Sequence, residues 1–205
     1  VAGRFDAVIV KSEQMAQVID PVPAHVVPNG VDLEAFSPAD RGAARRRLGW
    51  PDDRYHVLFP GNPRNARKNH PLARQAVEVA QRLVDRPIDL QTLWEVPAAD
   101  VPLYMNGCDA MLMASYLEGS PNVVKEAMAC DLPVIAVPVG DVVRLLDGVP
   151  GYTVCGRDAN SMGAALARTL GDGTRPQGRE AIERLGLDLA SVAHRLTDIY
   201  RQVLA

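Results

Sequence analysis

The chain has 205 residues, a net charge of −3, 47% apolar residues and 23% charged ones. That length suits one domain, or one domain and part of another, and the composition is that of a globular protein. A slightly acidic chain argues against nucleic acid as the main partner, and no apolar run reaches the ~20 residues that a membrane-spanning helix needs.

The chain opens without an initiator methionine, directly on the buried-looking "RFDAVIVKS", which predicts a fragment or one half of a larger fold. Residues 6–12 read as a strand, with Ser12 capping a short helix through Ile19, and residues 24–30 as a second strand ended by the Asn29-Gly30 turn. The pattern breaks over residues 31–39, the expected domain boundary. Asp40 then caps a helix through Leu48, which Gly49 stops. The run "RRR" at 45–47 on that helix reads as a solvated face. Residues 55–62 form the first strand of a new unit. Asn69 caps a helix with the apolar stripe Leu72, Ala76, Val79, Ala80 and Leu83, and residues 88–94 form the next strand. A short helix ends at Gly107, and residues 109–115, apolar between Asp109 and Ser115, and 133–139, apolar throughout, read as strands buried on both faces. Residues 151–155 form a last short strand. Two helices close the chain, the final one with Leu189, Val192, Leu196, Ile199 and Val203 on one stripe. This alternation predicts an α/β fold, a Rossmann-like parallel sheet flanked by helices. Cys108, Cys130 and Cys155 lack metal-site spacing and read as thiols of a reducing compartment, hence a cytoplasmic location; the four histidines have no ligand partners at suitable spacing, so no metal site is expected. The fingerprints GxGxxG and GxxxxGK[ST] are absent.

The stretch "LEGSPNVVKEAMACDLPVIAVPVG" follows the strand "DAMLMAS" and so lies at the carboxyl end of the sheet, where open α/β sheets bind ligands. Ser120 reads as an N-cap and Pro121 as the first helical residue. Free amides of Gly119, Asn122 and Val123, together with the helix dipole, favour an anion such as phosphate. Glu118 and Glu126 beside a phosphate make electrostatic sense if they accept hydrogen bonds from the vicinal hydroxyls of a sugar and a ribose. A capped helix carrying one exposed acid has the same spacing, so spacing alone leaves both readings open. A second loop, "GNPRNARKN", follows the strand "HVLFP" at the same sheet edge, and its Arg64, Arg67 and Lys68 can neutralise a diphosphate leaving group. Residues 140–143, "GDVV", read as a structural turn or as part of the site rim.

"EGSPNVVKEAMACDLPVIA" closely resembles the E-x7-E segment of the retaining glycosyltransferases of family 4, which have the GT-B fold. "HVVPNGVDLEAFSP", "LFPGNPRNARKN" and "VPLYMNGCDAMLMAS" follow that family in order, and the resemblance covers most of residues 5–155. It implies the C-terminal half of a GT-B fold with a remnant of the N-terminal domain. Residues 1–37 would be the end of that domain and the crossing, 38–186 the nucleotide-sugar-binding domain, and 187–205 a closing helix returning toward the first domain. It implies catalytic Glu118 and Lys68, with Glu118 on the donor sugar and Glu126 on the ribose. Gly61, Asn62, Arg64, Arg67, Lys68, Gly119, Ser120, Asn122 and Val123 would surround the diphosphate. The family shows an arginine after the glycine and a lysine six residues later; Lys68 fills the lysine place, but Asn62 stands at the arginine place, and the sequence does not choose between Arg64 and Arg67 as a substitute.

The resemblance further implies sugar transfer with retention from a UDP- or GDP-type donor, and needs neither metal nor cofactor. The acceptor would be a glycan, a lipid-linked molecule or a small molecule, and the location cytoplasmic or peripheral at the inner membrane face. The remaining N-terminal domain, in the same or a separate chain, is the expected partner, and this chain alone would bind donor without transferring sugar. Two alternatives share the donor site: a nucleotide-sugar 2-epimerase of GT-B fold and a non-catalytic nucleotide-sugar-binding subunit.

Overall fold

The computed structural model describes residues 5–204; the expected N-terminal segment and closing helix extend to residues 1 and 205, which lie outside the described residues. A small parallel pair, β1 (Ile9–Val10) and β2 (His25–Val26), is joined by α1 (Glu13–Val18). Beyond the crossing come α2 (Arg41–Leu48), β3 (Tyr55–Pro60), α3 (His70–Gln81), β4 (Ile88–Leu93), α4 (Val101–Gly107) and β5 (Ala110–Met113). They are followed by α5 (Asn122–Ala129), β6 (Val134–Ala136), α6 (Val142–Leu146), β7 (Thr153–Val154), α7 (Ala159–Asp172), α8 (Gly178–Arg184) and α9 (Leu189–Leu204). The main sheet is all parallel in the order β4-β3-β5-β6-β7. The chain winds one way from β3 to β4 and the other way from β5 to β7. Right-handed crossovers therefore put α3 and α5 on opposite faces and leave a crevice at the carboxyl ends of β3 and β5.

The central strands are apolar because both faces are covered: Val57, Leu58, Met111, Leu112, Met113 and Ile135 have no exposed surface. Each such side chain contributes roughly 1.5–3 kcal/mol through burial. Burial pushes the Cys108 and Cys155 thiols up and that of Cys130 to about 12, so all three stay protonated at neutral pH. A second, small cluster joins Val27 to Val192 and Ile199 of α9, with Ala7, Ile9 and Leu196 packed around it. The crossing is tied to α9 by Val31 N–H donating to Leu187 O (2.8 Å) and Leu189 N–H donating to Val31 O (3.1 Å). No described helix is long and apolar enough to cross a membrane.

Local chemistry explains several helix ends. The Ser12 hydroxyl accepts from Met15 N (3.3 Å), the Asp40 carboxylate from Ala43 N (2.7 Å), and Gly49 closes α2 at φ 68°. Several expectations need correction. The first two strands are two residues each. Leu83 lies past the end of α3 and is 62% exposed. Asn69 adopts φ 55° and its side chain makes no capping bond, because the preceding 3-10 turn (Ala66–Lys68) ends on it. Leu189 and Val203 of the α9 stripe remain exposed. The "RRR" run is not a uniform solvated face. Arg41 and Arg45, four apart on one side of α2, both reach Asp109, at 2.7 and 2.6 Å, and Arg45 is buried, whereas Arg46 and Arg47 face solvent.

Candidate functional site

Two loops meet in the crevice. After β3, Gly61 turns the chain at φ 127°, and Asn62 accepts from Arg64 N (2.8 Å), which fixes the first bend. Asn65 accepts from Arg67 N (3.1 Å) and starts the 3-10 turn that delivers Lys68. A side chain at Gly61 would meet the Lys68 stem at 3.3 Å, so the glycine makes room for the lysine. After β5, Tyr116 N–H donates to Arg67 O (2.8 Å), joining the second loop to the first. Across that seam Lys68 Nζ donates to Glu118 Oε1 at 2.8 Å, with both side chains largely buried (19% and 13% exposed). Residues 50 apart in sequence thus form one charged pair at the place where the sheet order reverses.

Arg64 and Arg67 are exposed and form no ion pair among the described residues. Asn62 is half-buried beside Gly61.

The start of α5 differs from expectation. Helix α5 begins at Asn122, Pro121 occupies the N-cap position with ψ 114°, and no side chain caps the helix. The Ser120 hydroxyl instead accepts from Lys125 Nζ (3.1 Å). Among the described residues, the amides of Gly119, Ser120, Asn122 and Val123 donate to no protein acceptor. The positive end of the helix dipole is therefore left uncapped, in the loop that carries Glu118. Glu126 lies one turn inside. It is half-buried, its carboxyl is pushed up by burial and pulled back by Lys125, and its side-chain oxygens accept no hydrogen bond from a described residue. A carboxylate in that state has free acceptor capacity.

Three further residues contribute: Lys125, which the sequence reading passed over, and Gly140 and Asp141, which it left open between a structural turn and the site rim. Lys125 has no exposed surface; burial lowers its ammonium to about 8, with Asp141 and Glu126 opposing the shift, and Nζ also donates to Asn29 O (2.8 Å). Asp141, at the end of the next loop, has a side chain only 4% exposed. Neither of its oxygens has a hydrogen-bond partner; burial raises its carboxyl, with the Ser120 hydroxyl and Lys125 pulling the other way. Gly140, at φ 55°, lies so close to the Glu118–Gly119 backbone that the glycine is a wall of the site. Asp141 N–H donates to Gly119 O (3.0 Å), which locks the two loops. The pairing of a lysine and a glutamate inside "VVKEAM" is the available signal for Lys125, and the turn "GDVV" at the same sheet edge is the one for Asp141. Among the described residues, no group of three or more histidines, cysteines or acids is placed to hold a metal ion.

The family model described as glycosyl transferases group 1 matches residues 77–172. A D-inositol 3-phosphate glycosyltransferase of Stackebrandtia nassauensis is 30% identical over 214 residues, covering 85% of this chain and 48% of that protein. Family model and relatives support the group 1 glycosyltransferases. The chain spans about half the length of the curated relatives it matches, 48% of this one. Among solved structures, sucrose-phosphate synthase from Thermosynechococcus elongatus matches with a TM-score of 0.79 at 23% identity, over 97% of this chain and 58% of that one. HepE from Anabaena, in complex with UDP, matches with a TM-score of 0.80 at 18% identity, over 98% of this chain and 65% of that one. These likenesses show the fold, that of the GT-B glycosyltransferases.

Proposed function

We propose that this chain is the donor-binding part of a family 4 glycosyltransferase, which moves a sugar from a nucleotide-diphosphate donor to an acceptor hydroxyl with retention and without a metal. The observation that carries this reading is the Lys68–Glu118 pair at the switch point of the sheet, with Glu118 in the loop that leads into the uncapped start of α5. Free amides, a helix dipole and a lysine together favour a diphosphate, and they stabilise the charge that develops as it leaves. Lys68 takes the diphosphate, Glu118 then accepts from a hydroxyl of the donor sugar, and Glu126 accepts from the ribose diol. The preformed pair keeps both charges compensated until the donor arrives. Gly61 and Asn62 bound the diphosphate side, with Arg64 and Arg67 on the exposed rim as candidates for the second cation. The UDP in the HepE structure supports a uridine donor. A glycan, lipid-linked or small-molecule acceptor, completion of the cleft by an N-terminal GT-B domain, and a cytoplasmic location at or near the inner membrane face belong to the same reading.

Calorimetry with UDP, GDP and their sugars tests it. Glu126→Ala is expected to weaken nucleoside diphosphate binding by roughly 1.5–3 kcal/mol, the range for hydrogen bonds to charged groups. Glu118→Ala is expected to spare the bare diphosphate and weaken the nucleotide-sugar. Equal losses for both ligands in Glu118→Ala would move that residue onto the nucleotide, and unchanged affinity in Glu126→Ala would remove the ribose role. Release of free epimerised sugar without acceptor would favour the 2-epimerase alternative; binding with no turnover in any complex would favour the non-catalytic subunit.

A further inference from the structure

A serine followed by proline at the start of a helix ordinarily places serine at the N-cap and proline at the first helical position, with the hydroxyl accepting from an amide one or two residues on. Here that arrangement would occupy the Asn122 or Val123 amide and add Pro121 to the helix. The structure shows the opposite: Pro121 is extended, and the Ser120 hydroxyl is held by Lys125 Nζ from within the first turn of α5. The same ammonium donates to Asn29 O, 96 residues away in sequence, and the Asn29 side chain donates to Asn122 Oδ1 (3.3 Å). The lysine thereby ties the crossing segment, the Ser120 loop and the helix start to one another. Asp141, nine-tenths buried and without a hydrogen-bond partner, supplies the negative charge beside it, while Glu126, Lys11 and Arg144 are the other charged groups acting on this ammonium.

We propose that Lys125 is a positioning residue of the donor site: by holding the Ser120 hydroxyl it keeps that serine from capping α5 and leaves the Asn122 and Val123 amides open for the diphosphate. This rests on the donor-site reading above. It also explains why a buried lysine is kept on the inner face of a helix that could carry an apolar residue there. Burying an ammonium is costly, and the two hydrogen bonds and Asp141 offset that cost only where all three segments keep their places.

The test is UDP and GDP affinity, by calorimetry, in the intact chain. Lys125→Met keeps the length and apolar stem of the side chain but frees the serine. It is expected to weaken nucleoside diphosphate binding about five- to tenfold, the fold-change that corresponds to an N-cap bond competing for the same amides. Removing the competitor as well, in the double variant Ser120→Ala/Lys125→Met, is expected to recover most of that loss. Rescue by a second substitution is a result that general loosening of the fold does not give. Should Lys125→Met leave Asp141 with only Arg144, 3.8 Å away, and fail to fold, the comparison with and without Ser120→Ala is made in an Asp141→Asn/Lys125→Met background, which removes the buried charge. Unchanged affinity in Lys125→Met, or a double variant no better than the single one, overturns the inference while leaving the donor site standing. Absence of UDP and GDP binding by the unaltered chain overturns the donor-site reading itself.

Discussion

Asp109→Ala is expected to be the most destabilising single substitution away from the donor loops. The Asp109 carboxylate sits at the amino end of β5, accepts from Arg41 (2.7 Å) and Arg45 (2.6 Å), and takes the His56 amide of β3 (2.7 Å). The side chains of Arg45 and Asp109 are only 6% and 9% exposed. Deleting the acid leaves a buried guanidinium with only Gly107 O at 3.0 Å and the exposed Asp52 carboxylate at 3.8 Å, and the His56 amide of β3 without its acceptor. Breaking a buried pair on one side costs about 3–5 kcal/mol. For a chain of this size that is a fall of roughly 10 °C in Tm, readable by thermal and urea denaturation. Arg46→Ala is the comparison: its side chain is 72% exposed and 4.0 Å from Asp40, so a change near zero is expected. Equal losses in the two variants would mean that the Arg45–Asp109 pair is no more than a surface contact.

Gly140→Ala is expected to have the largest effect on donor binding. A Cβ there would lie 2.2 Å from Gly119 O and 2.8 Å from Glu118 O, backbone atoms that cannot swing aside. The loop carrying Glu118 and the free amides would have to move by an ångström or more, enough for roughly a hundredfold loss where geometry decides. The left-handed backbone adds about 1–2 kcal/mol of strain. Gly49→Ala separates the two effects: φ is 68°, but nothing lies within 4 Å of the added atom. It should lose similar backbone stability and keep full UDP affinity. If Gly140→Ala binds UDP as well as Gly49→Ala does, the loop is more pliant than its packing implies.

Sequence periodicity was sufficient for the α/β class, because β3, β5 and β6 are uniformly apolar and the helices between them are striped. It also placed Lys68 and the E-x7-E segment on loops at one edge of the sheet. It did not place Lys68 against Glu118, since that contact depends on β3 and β5 being neighbours, which no local pattern encodes. Ser120 shows the limit most clearly. Its local preference is to cap the helix, and a tertiary partner, Lys125, anchored 96 residues away at Asn29, overrides that preference. Arg45 was misread for a related reason: three consecutive arginines look alike in sequence, yet a helix turns 100° per residue and only the first of the triplet, Arg45, faces Asp109. Asp141 and Gly140 matter through what packs on them, which the chain order hides.

The cluster of Val27, Val192 and Ile199 stands apart from the core under the main sheet. Only two residues of α9 are buried, and they cover a two-strand pair that is too small to hold itself together. Helix α9 and the β1–β2 pair should therefore open as one cooperative unit, at a lower free energy than global unfolding. In native-state hydrogen exchange, the amides of α9 should lose protection together with those of β1 and β2, well before those of β3, β5 and β6. Protection of α9 equal to that of β5 would mean that this small cluster is energetically part of the main core. Opening of this unit would also remove the Asn29 carbonyl from Lys125. Conversely, a bound nucleotide should slow exchange in α9.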